Sequence, residues 1–221
     1  MLIDALYVLL SYIVGAAPIV HILAKTHGVD LRTVGSGNVG ATNLWQHAGP
    51  VIGAVGTVVD FAKGVIPPLG ALALGLGVET AALSGLAVVV GQMWPVFLGF
   101  RGGRGNLTGV GALAAVAPGA LLIGAVPVTI GALAKWGQKA LGVGRPDVFG
   151  VALGVFLGAL AITITAWLKD YPWLVSACVT AITSLVILRR LTAQLDQDLQ
   201  APPGERPGIL VTRLLLDRAR L

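Results

Sequence analysis

The sequence predicts an all-α polytopic membrane protein with about seven membrane helices, some short or broken. Of its 221 residues, 56% are hydrophobic and only 11% are charged, whereas a soluble domain has about 25% charged residues. Long apolar segments recur along the chain, and most approach the ~20 residues that a helix needs to span a bilayer. The 31 glycines fit either close packing of membrane helices or helices that are broken.

Six apolar segments follow one another along the chain, namely Leu2–Ala24, Val51–Leu76, Thr80–Phe100, Leu107–Ala134, Val148–Leu168 and Pro172–Leu188. The fourth is the longest and contains Pro118-Gly119, so we expect it to divide there into two short elements. Most of the 15 lysines and arginines then fall on one side of the membrane, which the positive-inside rule assigns to the cytoplasm. This arrangement predicts seven membrane elements, an N-terminus outside and a cytoplasmic C-terminus.

Residues 1–200 are predicted to form a single transmembrane helical domain, followed by a cytoplasmic tail over 201–221. Leucines alternate with arginines in that tail, which is typical of an amphipathic helix on anionic lipid or of a frayed terminus. The basic loops and tail account for the net charge of +5, so we expect membrane lipid as a partner and no nucleic acid. No pattern indicates an oligomeric state. The three histidines lack the spacing of metal ligands, and neither a metal nor a cofactor is expected.

The stretch Gly35–Asn43, here called the first glycine loop, combines glycines with hydroxyl and amide side chains. It contains a G-x-G-x-x-G, but an apolar helix precedes it where a dinucleotide fold has a strand, and Ala41 stands where a P-loop has its lysine. Glycines let backbone N–H groups converge on an anion, and a following helix adds its dipole. The loop predicts a phosphate site, with a plain glycine-rich turn as the alternative. The residues expected to take part are Gly35, Ser36, Gly37, Asn38, Gly40, Thr42 and Asn43.

The stretch Arg101–Gly105, here called the second glycine loop, follows the third apolar segment. Arginine binds phosphate through two parallel hydrogen bonds, and glycines let the backbone approach a ligand closely. The loop predicts a second phosphate site, with an ordinary basic cytoplasmic loop as the alternative. The residues expected to take part are Arg101, Gly102, Gly103, Arg104 and Gly105.

Asp60 and Lys63 are ionisable residues inside the second apolar segment. Their i,i+3 spacing places them on one face of a helix, where they can pair. Ionisable residues within a span are functional candidates. The alternative is a structural ion pair that supports the helix packing.

These residues together resemble a known family, the bacterial acyl-phosphate:glycerol-3-phosphate acyltransferases (PlsY family). The first glycine loop resembles the family's first signature, and Asp60-x-x-Lys63-Gly64 resembles its intramembrane D-x-x-K-G. Gly91–Gly105 resembles its second signature, G-H-x-F-P-V-F-L-x-F-K-G-G-K-G. The resemblance covers the first half of the chain, while the second half agrees in hydropathy and length.

The resemblance implies a multi-pass enzyme of the bacterial inner (plasma) membrane. It implies transfer of a fatty acyl group from acyl phosphate to glycerol 3-phosphate, which gives lysophosphatidic acid for phospholipid synthesis. Ser36 and Arg104 are then the expected catalytic residues. Ser36 and Thr42 would donate hydrogen bonds, Asn38 or Asn43 would orient the acceptor, and Arg104 with Arg101 would neutralise the leaving phosphate. Proximity and charge stabilisation would carry the reaction, without a covalent enzyme intermediate.

The sequence departs from the family's pattern at several positions. Gln92 stands in place of the histidine of the second signature, Arg101 and Arg104 replace lysines, and Gln46 replaces an arginine. Val143–Asp147 lacks the serines of the family's V-S-L-S-S run, and Arg189–Gln194 lacks the histidine and asparagine of its third signature. These departures leave open a homologue with a changed donor or acceptor and a non-catalytic lipid- or phosphate-binding protein. Helices broken by glycine and proline, which are common in transporters, leave open a transporter as well.

Overall fold

A computed structural model describes residues 1–141 and 150–192 of the chain. The regular elements of this described part are helical. The tail over 201–221 lies outside the described residues, as does Val143–Asp147. The α-helices are α1 (Leu2–Ala16), α2 (Ile19–Thr26), α3 (Ala41–Ala48), α4 (Pro50–Ala73), α5 (Gly77–Met93), α6 (Asn106–Val116), α7 (Pro118–Leu141), α8 (Gly150–Leu168) and α9 (Trp173–Thr192).

Seven apolar helical stretches in the described residues match the number of membrane elements that the sequence predicts. Four are long and apolar enough to cross a bilayer, namely Leu2–Thr26, Pro50–Ala73, Gly77–Leu98 and Trp173–Thr192. Three are shorter, namely Asn106–Val116, Pro118–Ala134 and Leu153–Leu168. The prediction of a helical polytopic membrane protein is thus confirmed, while the sides on which the termini lie stay predictions.

Prolines break two of the apolar segments. The predicted break near Pro118-Gly119 is confirmed, because α6 ends at Val116 and α7 begins at Pro118. The first apolar segment is also broken, between α1 and α2, because Pro18 has no N–H group to continue the helix. At this break the carbonyl of Ala17 accepts a hydrogen bond of 2.8 Å from Lys63 Nζ.

The chain forms two compact units. The first contains residues 1–118 and 171–182, and the second contains the described residues of 119–170 together with 183–192. Both glycine loops and the Asp60/Lys63 pair lie in the first unit. In the second unit a hydrogen bond of 2.9 Å joins Thr163 to Thr183. The single domain predicted over 1–200 stays a prediction.

Glycines bring the helices of the first unit into backbone contact. A Cβ on Gly64 of α4 would collide with the carbonyl of Thr108 on α6, and a Cβ on Gly91 of α5 would collide with the carbonyl of Tyr12 on α1. These contacts support close packing as one role of the glycines. The result is that α4 lies directly against α6, which begins at the second glycine loop, and that α5 lies directly against α1.

A small apolar core packs against the first glycine loop. It joins α2, the loop and α3 through the buried side chains of Val20, Ala24, Leu31, Val39 and Leu44. The loop therefore packs against buried side chains, and this packing restrains the polar groups of the loop.

Candidate functional site

The first glycine loop is shaped by the amide of Asn43, whose side chain is only 1% exposed. Its Oδ1 accepts a hydrogen bond of 3.4 Å from the Ser36 N–H. Its Nδ2 lies 3.0–3.1 Å from three backbone carbonyls, those of Leu31, Val34 and Asn38. Asn43 therefore ties the loop together from inside. The polar atoms of the Asn43 side chain already bind the backbone of the loop. The predicted role of Asn43 in orienting an acceptor stays a prediction.

Several N–H groups of this loop are used by the protein itself. The N–H of Gly37 donates to Val34 O, and that of Gly40 donates to Asn38 O, both at 3.0 Å. The N–H of Ala41 donates to the carboxylate of Asp60. The N-cap residue of α3 is Gly40, which has no side chain to cap the helix, so the first turn beyond the Ala41 N–H is the part of the loop best suited to an anion.

The second glycine loop is held by the end of α5. The N–H of Gly103 donates to Gln92 O at 3.0 Å, and the N–H of Gly102 donates to Met93 O at 3.2 Å. A Cβ on Gly102 would collide with the same Gln92 carbonyl. Gly105 has a φ of 71° and begins α6, whose N-terminus also lacks a side-chain cap in the described structure. Glycine is required here because the chain must lie on α5 and then turn sharply.

The two glycine loops meet at one open pocket of about 340 Å³, here called the shared pocket. A Cβ on Gly103 would lie only 3.0 Å from Val39 O, which shows how closely the loops approach. Of the residues predicted from sequence, the shared pocket brings together Asn38, Gly40, Thr42, Gly103, Arg104 and Gly105. The first residues of α6 line it as well. Two helix N-termini and one guanidinium thus converge, and each helix N-terminus carries about half a positive charge.

Other predicted residues lie away from the shared pocket. Gly35, Ser36, Gly37 and Arg101 are not among the residues that line it. Arg101 is exposed, and Ser36 is half-buried beside the turn that Asn43 holds. Their predicted roles in binding and catalysis stay predictions.

Asp60 and Lys63 are both buried, and the amide of Gln92 bridges them. Lys63 Nζ donates to Gln92 Oε1 at 2.5 Å, and Gln92 Nε2 donates to Asp60 Oδ1 at 3.1 Å. The amide orientation satisfies both partners at once, since its oxygen faces a donor and its nitrogen faces an acceptor. Gln92, which replaces the family's histidine, is therefore part of a continuous polar network, here called the Asp60–Gln92–Lys63 network.

This network connects to both glycine loops. Asp60 binds the Ala41 N–H at the start of α3, and its backbone carbonyl accepts a bond of 3.0 Å from Thr108 Oγ1 on α6. Asp60 and Gln92 also line the shared pocket. Sequence reasoning found Asp60 but missed Thr108 and the bridging position of Gln92. The position of Gln92 inside a family signature was a feature of the sequence that could have indicated its role in the site.

Comparison with known proteins agrees with the family resemblance found in the sequence. The family model for glycerol-3-phosphate acyltransferase matches residues 5–197. A glycerol-3-phosphate acyltransferase of Rubrobacter xylanophilus is 44% identical over 140 residues, which is 63% of this chain and 66% of that protein. The chain thus matches slightly less than two thirds of that relative's length. One from Endomicrobium trichonymphae is 34% identical over 195 residues, covering 87% of this chain and 90% of its own.

One solved structure is similar to this chain. It is a crystal structure of PlsY, an integral membrane glycerol 3-phosphate acyltransferase, in its glycerol 3-phosphate form. It is 30% identical with a TM-score of 0.71, and the match covers 96% of this chain and 94% of that one.

Proposed function

This chain belongs to the glycerol-3-phosphate acyltransferase family, and we propose that it transfers a fatty acyl group from acyl phosphate to the 1-hydroxyl of glycerol 3-phosphate. The products are lysophosphatidic acid and inorganic phosphate. The resemblance on which the sequence-based expectation rested is confirmed by the family match.

The convergence of the two glycine loops on the shared pocket is the observation that carries this proposal. Both substrates have phosphate groups, and the pocket offers two helix N-termini with glycine as their N-cap residue, together with Arg104. Such groups stabilise an anion because their dipoles and charge are already oriented before it arrives. A positive-inside loop by itself would explain the arginine but not the paired helix N-termini.

The reaction needs no strong protein nucleophile. The substrate hydroxyl oxygen attacks the acyl carbonyl carbon, the new ester C–O bond forms, and the bond between that carbon and the bridging phosphate oxygen breaks. The hydroxyl proton ends on the departing phosphate, so atoms and charges balance without an enzyme intermediate. The protein contributes orientation of the two substrates and stabilisation of the charge that gathers on the phosphate.

Individual residues take distinct parts in this proposal. Arg104 neutralises the phosphate that leaves, and the starts of α3 and α6 bind phosphate oxygens. Ser36 donates a hydrogen bond from the adjoining turn, and Arg101 adds a weaker long-range attraction. The Asp60–Gln92–Lys63 network positions the two loops because it contacts α3, α6 and the end of α5.

We also propose the setting of the reaction. The chain is a multi-pass membrane protein, and its site belongs on the cytoplasmic side of a bacterial inner membrane. Basic residues accumulate in the loops on the predicted cytoplasmic side, and glycerol 3-phosphate is a soluble, charged substrate that reaches such a site from water.

The test is transfer by the purified full-length chain in detergent, supplied with palmitoyl phosphate and labelled glycerol 3-phosphate. Labelled lysophosphatidic acid is expected with palmitoyl phosphate and not with palmitoyl-CoA. Ser36→Ala and Arg104→Ala should each reduce its formation. If the wild-type chain binds phosphate esters but forms no product, a non-catalytic binding protein replaces this proposal. Product from another donor would instead indicate a changed substrate.

A further inference from the structure

Two tyrosines of α1 each donate a hydrogen bond to a backbone carbonyl elsewhere in the first unit. Tyr7 Oη donates to Pro67 O on α4, and Tyr12 Oη donates to Trp94 O at the end of α5, both at 2.9 Å. Both tyrosines are half-buried, and neither lines the shared pocket. The bond of Tyr12 bears on the site because the second glycine loop is bound to the same end of α5.

The end of α5 has carbonyl groups that the helix itself cannot pair. A helix leaves its last four carbonyls without an N–H from a following turn, and Pro95, which follows α5, has no N–H to offer. The second glycine loop binds the carbonyls of Gln92 and Met93 through its backbone N–H groups. Tyr12 binds the next carbonyl along the chain, that of Trp94. Tyr12 and the second glycine loop therefore bind consecutive carbonyls of one helix end.

The Trp94 carbonyl is connected to the second glycine loop through the ring of Pro95. The peptide group between Trp94 and Pro95 is planar, so its oxygen and the Cδ atom of the proline ring lie in one plane. A hydrogen bond that fixes the direction of the oxygen also fixes the orientation of the ring. Pro95 is buried, and a Cβ on Gly102 would collide with its Cδ atom. The loop packs on this ring two residues before Arg104, which lines the shared pocket.

The position of the Tyr12 hydroxyl is itself fixed by close packing of α1 against α5. A Cβ on Gly91 of α5 would collide with the carbonyl of Tyr12, and a Cβ on Gly15 of α1 would collide with the carbonyl of Val88. Helices whose backbones touch through glycine cannot shift without losing these contacts. The hydroxyl is therefore held at a constant place beside the end of α5.

We propose that Tyr12 is a positioning residue for acyl transfer. Its hydroxyl fixes the Trp94 carbonyl and the Pro95 ring, and the loop that packs on this ring places Arg104 against the departing phosphate. This inference rests on the proposed function, in which Arg104 neutralises that phosphate. Removing the hydroxyl then changes where a charge lies and leaves the charge itself unchanged.

The test compares Tyr12→Phe with Tyr7→Phe, which removes the same atom from the same helix. Tyr12→Phe should lower kcat with palmitoyl phosphate about 3–10-fold, the net effect of one hydrogen bond. The KM for glycerol 3-phosphate should change less than about twofold, because the misplaced charge acts on the phosphate that leaves in the transition state. Tyr7→Phe should keep both constants within about twofold of the wild type.

Thermal unfolding separates positioning from general support of the fold. Each substitution removes one half-buried hydrogen bond of the same length, so both should lower the unfolding temperature by similar amounts. Only Tyr12→Phe should lower kcat. An equal fall of kcat in Tyr7→Phe, or a Tyr12→Phe chain that does not fold, would show a structural role and overturn the inference.

A double substitution tests whether Tyr12 acts through Arg104. In an Arg104→Ala background, Tyr12→Phe should lower kcat by less than about twofold, because no guanidinium remains to be misplaced. Losses that multiply in the double variant would show that Tyr12 acts independently of Arg104, and the inference would then fail.

Hydrogen exchange in detergent distinguishes this inference from the proposed function, because it requires no turnover. The amides of Gly102 and Gly103 should exchange about 3–10-fold faster in Tyr12→Phe and at the wild-type rate in Tyr7→Phe. Acyl transfer by the wild type without this acceleration in Tyr12→Phe overturns the inference alone. Acceleration in a chain whose wild type forms no lysophosphatidic acid overturns the proposed reaction and leaves Tyr12 as a support of the second glycine loop.

Discussion

The two glycine loops reach the same pocket but are stabilised in different ways. The first loop is held from within, because the buried Asn43 amide binds the backbone on both sides of the turn. The second loop is bound to the end of α5 through the backbone N–H groups of Gly102 and Gly103. The first loop behaves as a local unit with its own support, while the second takes its position from a neighbouring helix.

The difference extends to what each loop offers a ligand. The first loop contributes the uncharged residues Asn38, Gly40 and Thr42 to the pocket wall, whereas the second contributes the charge of Arg104. Substitutions in the first loop should therefore mainly change the shape of the pocket. Substitutions in the second loop should mainly change its charge. The predictions below test this contrast.

The largest effect is expected at Arg104. Removal of a preorganised charge that meets the departing phosphate typically lowers the rate by about 10²–10³-fold, so Arg104→Ala should lower kcat/KM by that amount. Arg101→Ala is the matched change, because Arg101 lies in the same loop but is exposed and outside the shared pocket. It should lower kcat/KM by less than about fivefold. Equal losses in the two variants would show that the loop acts through overall charge.

Asn43→Leu should produce the next largest effect, and mainly on structure. It leaves three carbonyl groups of the first loop without the amide donor, at a cost of about 3 kcal/mol. Hydrogen exchange should accelerate at Gly37 and Gly40 and stay unchanged at Gly102 and Gly103. The control is Gln46→Leu, an exposed amide on the same helix. Faster exchange in both loops would contradict independent support of the first.

A smaller effect is expected at Gln92, where the network meets the second loop. Gln92→Leu removes the bridge between Lys63 and Asp60 and should lower kcat about 10–30-fold, equivalent to about 2 kcal/mol. Gln92→His restores one donor and one acceptor, and so should stay within about threefold of the wild type. An inactive histidine variant beside an active leucine variant would exclude a bridging role.

The smallest effect is expected in the approach to the first loop, at Asp30. The Arg32 N–H donates to Asp30 Oδ1 at 3.0 Å, and this bond holds the pKa of the Asp30 carboxyl below its usual range. A lowered pKa in the folded state adds stability above the unfolded-state pKa of about 4, and that stability is lost as pH falls through the folded-state value. Asp30→Asn should slightly lower the unfolding temperature at pH 7, and the difference should vanish at strongly acidic pH. A difference that persists there would refute a charge effect.

Local properties of the sequence were sufficient to predict the architecture. The apolar segments, the helix break at Pro118 and the two glycine loops follow from hydropathy, from proline's missing N–H and from the small size of glycine. Each is a property of one residue or one short window, so no knowledge of packing was needed. The family signatures added the identity of the chemistry, and the family match confirmed the membership.

The positions of individual side chains could not be predicted from local properties of the sequence. The inward turn of Asn43 was not predictable from its loop, because an amide in a glycine-rich stretch can face a ligand equally well. The break at Pro18 gave Lys63 an acceptor 46 residues away, and Gln92 meets Asp60 across 32 residues. Such pairings depend on how α1, α4 and α5 pack against one another.

The sequence alone determined a helical membrane protein with two glycine-rich loops and a buried acidic and basic residue, because hydrophobicity and backbone freedom are read residue by residue. Only the tertiary structure decided that both loops line one pocket, that Gln92 bridges Asp60 and Lys63, and that Tyr12 binds the end of α5 beside the second loop. Hydrogen-bond partners are chosen among groups that packing brings within about 3 Å, and that proximity is not encoded in the spacing of residues along the chain.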